Sequence, residues 1–176
     1  MSDSLILVDG DDREIGYARK EACHTGPGIL HRAFSVVVVS GPTMLITRRS
    51  ALKRTWPLYW SNACCSHPRP GESCAAAAAR RLEEELDIRC ELEFLYKFRY
   101  EADYDGAVGE NELDWVFRGE YSGPVRPNAE EIADYRFVER RQLEREMRAD
   151  PGRYTPWFRA IVLEHRLARG PGWGER

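Results

Sequence analysis

No stretch of this chain is apolar for long enough to cross a bilayer, which takes about 20 consecutive apolar residues. The opening stretch "MSDSLILVDGDDREIGYARK" has acids where a secretory signal has its basic region. It also lacks the apolar block of about 7–15 residues that such a signal needs. These absences predict a cytoplasmic protein with no membrane partner. A strong charge of either sign is missing too: the net charge is −3, with acids and bases mixed along the 176 residues. Nucleic acid is therefore not an expected partner. There is no internal repeat and no linker-like stretch, so 1–176 reads as one domain. Histidine is scarce, at four residues: His24, His31, His67 and His165. The five cysteines are an odd number and cannot all pair within the chain. In a reducing compartment they read as buried thiols, ligands or catalysts.

What is present is a succession of strand-like runs. "LILV" at 5–8 reads as a short strand, and 18–30 as polar and irregular. "AFSVVVVS" at 33–40 is a continuous β-branched run, and "GP" turns it into its hairpin partner "TMLITRR" at 43–49. Strand or loop continues through "PLYWSNACCS". Residues 73–86 form the clearest helix, with Ser73 as N-cap and an alanine run of high helix propensity. Strands are expected at 90–102, 111–121 and 135–139, a loop at 121–128 and a charged helix at 140–148. A last helix should start at Thr155 as N-cap, with Pro156 at its first position, and run to 168. This order favours an α+β fold, a mixed sheet flanked by helices.

The chemistry gathers in a few short stretches. "SNACCSHPRPGES" at 61–73 puts Cys64, Cys65 and His67 in one loop ahead of the helix. A metal knuckle, a buried disulfide partner and a nucleophile or acid/base site all fit that spacing. His24 and His31 flank a Gly-Pro-Gly loop that can fold back and bring the imidazoles together. "GENE" places Glu110 and Glu112 on one face of a strand, where two carboxylates repel unless a cation or proton lies between them. Singly, each of these is more simply a surface or core residue. Together, three imidazoles and two carboxylates suit Mn, Fe or Zn and suit Mg or Ca poorly. In "RRLEEELDI", Arg80–Glu84 and Arg81–Glu85 read as i, i+4 pairs on a solvated helix face. With Glu72 ahead of it, the same helix also resembles a holder for a metal–diphosphate. Of the strand neighbours Arg48 and Arg49, only one can face a shared site.

From Ser66 to Ile88 the chain resembles the Nudix signature, Gly-x5-Glu-x7-Arg-Glu-U-x-Glu-Glu-x-Gly-U, with U apolar. Glu72, Arg80, Leu82, Glu84, Glu85 and Ile88 match, whereas Ser66, Arg81 and Asp87 depart from it. The departures disfavour an ordinary Nudix hydrolase. The whole pattern is similar to the type I isopentenyl-diphosphate isomerases. The matching blocks are "RKEACHTGPGILHRAFS", "LITRRSALKRTWPLYWSNACCSHPRPGES", "FRYEA", "GENE" and "YTPWF", in family order over nearly the full chain. The resemblance implies a Nudix-like mixed sheet sandwiched between helices. It implies conversion of isopentenyl to dimethylallyl diphosphate through a tertiary carbocation, with a small-molecule prenyl diphosphate as partner and a monomer or weak homodimer as the active form. It implies His24, His31, His67, Glu110 and Glu112 as ligands of Mn2+ (or Zn2+ or Fe2+), and a Mg2+ held with the diphosphate through Glu85. Cys65, Glu112 and Tyr100 would move protons, and Trp157 would face the cation. Lys20, Arg49, Lys53 and Arg81 would hold the diphosphate, and Cys64 would pack in the core.

That reaction sets its own demands. An alkene is a poor base, so it needs a positioned acid, a base on the opposite side and exclusion of water. A lid is therefore expected, formed by the N-terminal segment or the region around Trp157. A free thiol has a pKa of about 8.5, lowered beside cations, so Cys65 could serve as thiol or thiolate. Glu112 poses a difficulty, because a metal-bound carboxylate gives up its proton more easily. Either Tyr100 relays the proton or Glu112 coordinates loosely. Two rival readings are a Nudix-type diphosphohydrolase, which needs no Cys65, and a non-catalytic metal-binding scaffold.

Overall fold

A computed structural model describes residues 4–164. Its centre is β3 (His31–Ser40), whose apolar run has no polar alternation because both faces are covered. Phe34, Val36 and Val38 pack on one side against Ala77, Ala78, Leu82 and Leu86 of α2 (Cys74–Leu86). Val37 and Val39 pack on the other, in a cluster with Leu143 and Met147 of α3 (Arg140–Ala149) and Phe158 of α4 (Pro156–Arg159). The result is the expected α+β arrangement of a mixed sheet between helices.

β3 pairs in parallel with β8 (Gly109–Glu120), from His31 opposite Glu112 to Val39 opposite Glu120. Its other edge is shared in turn by three strands. β1 (Ser4–Val8) meets it at His31, β6 (Cys64–Ser66) at Phe34–Val36, and β4 (Thr43–Arg49) at Val38–Ser40. β4 then leaves β3 to pair with β9 (Ile132–Glu139) and β5 (Trp60–Ser61). β7 (Leu92–Asp103) forms a long hairpin with β8, with Tyr100 opposite Glu112. This sharing of β3 brings the starts of β3 and β8 next to the end of β6, and there the site lies.

Three local expectations are corrected. The segment expected to be irregular from residue 18 starts inside β2 (Glu14–Arg19) and continues into the short α1 (Lys20–Cys23). β2 is an edge strand with Ile15 and Tyr17 exposed, so pairing with β1 creates it and no hydrophobic pattern marks it. Thr155 precedes Pro156 as expected, but its hydroxyl does not cap α4 and instead meets Ser61 Oγ at 3.0 Å. After α4 the chain widens into π-helical turns over Ala160–Glu164, and the end of that helix, 165–168, lies outside the described residues. The third correction concerns Arg81–Glu85 and belongs to the cleft. The α2 cap does match: Ser73 Oγ accepts from Ala76 N at 3.2 Å. Asp87 ends the helix in the left-handed region, φ 56°, where the signature carries glycine.

Candidate active site

A cleft of about 700 Å³ opens over the ends of β3, β6 and β8. Its floor is set by strand register. Alternation along β6 sends Cys64 to the α2 core, where it is 2% exposed, and turns Cys65 into the cleft. Cys64 does more than fill space, because its thiol reaches Glu85 from below. His67 follows β6 and lines the same floor.

The three imidazoles cluster as expected, with ring centroids 4.8–5.4 Å apart. Nδ1 of His24 lies 2.6 Å from Lys20 O, and Nδ1 of His31 lies 2.7 Å from Ile29 O. A carbonyl only accepts, so each Nδ1 donates to it and each Nε2 is turned toward the cluster. The Nε2 atoms converge. His31 Nε2 lies 3.1 Å from His67 Nε2 and 3.4 Å from Glu112 Oε1, and His67 Nε2 lies 2.8 Å from the same oxygen. Ligand atoms of His24, His31, His67 and Glu112 all fall within 4.8 Å of one another, so this buried cluster could hold a metal ion. The donor set and the outward hydrogen bonds of the imidazoles fit a divalent transition metal. Glu110 sits beside His24, with Oε2 2.9 Å from Nε2, yet that buried oxygen receives no hydrogen bond.

Charge states follow from burial. Burial holds His67 neutral, at about 3, despite the Glu112 carboxylate beside it. Burial also raises Glu110, helped by the charge of Glu112. Burial would raise Glu112 as well, but hydrogen bonds from His31 and His67 outweigh it and hold its carboxyl well below the usual range. Tyr100 is pushed far up by burial and by Glu112, to which its hydroxyl donates. The two oxygens of Glu112 therefore have separate partners: Oε1 faces the imidazoles and Oε2 the phenol. Of the two states open to Cys65, its surroundings favour the thiol. Burial pushes it up to about 12, and Arg49 and Lys53 do not offset that. Although the thiol lines the cleft, the protein packed around it decides its charge.

Trp157, 3% exposed, closes the floor. Its Nε1 donates to Ser61 Oγ at 3.1 Å, and its ring meets Trp56 edge-on at 5.3 Å and Tyr100 at 6.0 Å. Arg49 stands over the indole at 5.3 Å while donating to the carbonyls of Thr55 and Trp56. Arg48 turns away and donates to Leu58 O, so one member of the pair faces the cleft, as alternation predicts.

Lys20, Arg49, Lys53 and Arg81 all line the cleft and form its basic rim. The Arg81–Glu85 pair is not on a solvated face. Glu85 is 5% exposed and lies under Arg81, 2.5 Å from its Nη2. Burial raises the Glu85 carboxyl in spite of Arg81 and Lys53. On the outer side Arg80 grips Glu72 through two hydrogen bonds of 2.8 Å and reaches Glu84 at 3.3 Å. Glu131 was not foreseen. It joins Lys53 and Arg81 across the rim, and it comes from the "NAEEIADY" stretch ahead of β9. An acid pair before a strand was its only signal. Ser61 and Trp56, which fix Trp157, carried no signal.

A model of the Nudix domain matches residues 29–158. The chain is 42% identical over 163 residues to isopentenyl-diphosphate Delta-isomerase 1 of Aromatoleum aromaticum, covering 92% of each chain. It is likewise 42% identical over 161 residues to the isopentenyl-diphosphate Delta-isomerase of Nocardia farcinica, covering 90% of this chain and 91% of that one. Among solved structures, a Deinococcus radiodurans protein superposes with a TM-score of 0.74 at 17% identity, covering 94% of this chain and 99% of its own. That last likeness speaks for the fold alone.

Proposed function

This chain belongs to the Nudix family and, within it, to the isopentenyl-diphosphate Delta-isomerases, and on that premise we propose that it isomerises isopentenyl diphosphate to dimethylallyl diphosphate. The observation that carries the mechanism is a neutral thiol, Cys65, lining the same cleft as the Tyr100–Glu112 hydrogen bond. Cys65 and the Tyr100–Glu112 pair act as the two proton-handling groups, one for each side of the substrate. One adds a proton at the terminal carbon and the other removes one from the second carbon, so the double bond moves and no atom is lost. Tyr100 accounts for the awkward carboxylate: the proton sits on the phenol, next to Glu112 Oε2, while Oε1 is committed to the imidazoles. Trp157 offers its π face to the tertiary cation, worth up to about 2 kcal/mol when desolvated. Lys20, Arg49, Lys53 and Arg81 hold the diphosphate. Mn2+, Zn2+ or Fe2+ would bind His24, His31, His67 and Glu112, with Glu110 beside them, and would anchor and polarise that carboxylate. Glu85, now held by Arg81, would take Mg2+ together with the diphosphate.

The hydrolase alternative loses support from the same helix. Arg81 stands where the Nudix signature carries a glutamate, so this helix has one carboxylate fewer than a hydrolase would use to gather metal. Incubation of the metal-loaded protein with isopentenyl diphosphate in D2O tests the reading. Deuterated dimethylallyl diphosphate without free phosphate is expected. Phosphate release would favour hydrolysis, and bound metal with no exchange would favour a scaffold.

A further inference from the structure

We propose that Glu131 is a built-in stand-in for a phosphoryl group, and that it makes the rim select diphosphates over monophosphates. The inference rests on the reading of the rim as the diphosphate seat. Glu131 Oε2 pairs with Lys53 Nζ, and Oε1 lies 3.0 Å from Arg81 Nη2. One carboxylate thus spans two cations from separate parts of the chain, as two oxygens of a phosphoryl group would. Both cations are three-quarters buried or nearly so, with side chains 26% and 21% exposed. They would be poorly hydrated if left alone.

The seat is tied into the backbone. Glu131 O accepts from Ser50 N at 2.9 Å, at the start of the loop carrying Lys53. Three residues earlier, Asn128 N donates to Glu85 O at 2.8 Å, at the end of the helix carrying Arg81. The Glu131 segment therefore staples the two cation-bearing elements at a fixed spacing before any ligand arrives. Glu85 cannot substitute, because it lies beneath Arg81 and is already bound to it.

Selectivity follows from exchange. An incoming anion gains Lys53 and Arg81 only by giving up their two pairs with Glu131. A monophosphate offers one phosphoryl group for that exchange and gains little. A diphosphate offers a second group, which reaches cations that Glu131 does not occupy, such as Arg49 and Lys20. The occupied seat thus penalises both anions, and only the diphosphate has further contacts to offset it.

Calorimetric titration of the metal-loaded protein with inorganic phosphate and with inorganic pyrophosphate, without Mg2+, tests this. Glu131→Gln should bind phosphate about tenfold more tightly, equivalent to about 1.4 kcal/mol. Pyrophosphate should gain less, so the ratio of the two affinities narrows. Glu131→Asp keeps the charge but cannot span both cations, and should fall between the two proteins. Unchanged affinities in Glu131→Gln, or weaker binding of either anion, would overturn the proposal. An unfolded Glu131→Gln leaves Glu131→Asp to decide by the same ratio. Loss of isomerisation with this anion pattern intact would count against the proposed reaction and not against Glu131.

Discussion

The floor and the rim of the cleft are both rich in ionisable groups, yet burial decides most of the floor and ion pairs decide most of the rim. On the floor, burial keeps Cys65 and His67 neutral, and burial with Glu112 keeps Tyr100 protonated. On the rim, Lys53 and Arg81 outweigh burial and hold Glu131 ionised, at about 2. The difference lies in partners. Rim groups meet opposite charges within salt-bridge distance. Floor groups meet aromatic rings and one another, with the imidazoles gathered on Glu110 and Glu112. In the proposed reaction a carbocation on this floor would see π faces and an anchored carboxylate. A diphosphate on the rim sees cations already held in place.

The largest break in this comparison should come from the floor. Cys65→Ala should cost about 10³-fold in isomerisation, within the usual range for a lost acid/base group. Metal content, read by elemental analysis, should not change. If Cys64→Ala did that damage instead, the alternation along β6 would be wrong. On the rim, Arg81→Ala should act mainly on KM, raising it about 10- to 100-fold. That corresponds to roughly 1.5–3 kcal/mol for a charged hydrogen bond, and the effect should shrink in high salt. An equal loss in kcat would mean that Arg81 acts on the chemistry.

Cys64→Ala tests the other face of the same strand. It removes a buried sulfur packed against α2, so the melting temperature should fall by several degrees, about 1 kcal/mol in a domain of this size. Isomerisation by the folded protein should survive. The smallest effect is acid stability. Glu131 has a folded pKa depressed to about 2 by Lys53 and Arg81 once they overcome burial, and the hydrogen bond from Arg136 depresses Glu146 to about 2. A depressed carboxyl adds stability that is complete above its unfolded pKa and is lost as pH falls toward the folded one. Melting temperature should therefore drop between about pH 4.5 and pH 2. In Glu131→Gln and Glu146→Gln that slope should flatten, and an unchanged slope in both would contradict the pairing.

Much of the site was legible because its residues come in short blocks whose local geometry is regular. Glu110 and Glu112 share a face because they are two apart on a strand, and Cys64 and Cys65 part company because they are one apart. The Gly-Pro-Gly loop did bring His24 and His31 together. Local pattern failed where a neighbour distant in sequence made the decision. β2 exists because β1 pairs with it. Thr155 keeps the N-cap position but turns its hydroxyl to Ser61, 94 residues away, and Arg81–Glu85 moved from solvent to the cleft because β6 and the Glu131 segment cover it.

The amino-acid sequence by itself determined the family, the sandwich of helices about a mixed sheet, and which side chains could meet in the cleft. These rest on the resemblance of its motif blocks to a known family, and on periodicity and spacing, which a chain carries locally. Tertiary structure alone decided which proton each group keeps. It turned Nδ1 of His24 and His31 to Lys20 O and Ile29 O, divided the two oxygens of Glu112, raised the Cys65 thiol in spite of nearby cations, and seated Glu131 between Lys53 and Arg81. The physical reason is that ionisation depends on the water removed and the charges gathered around a group, and both are set by residues far apart in the chain.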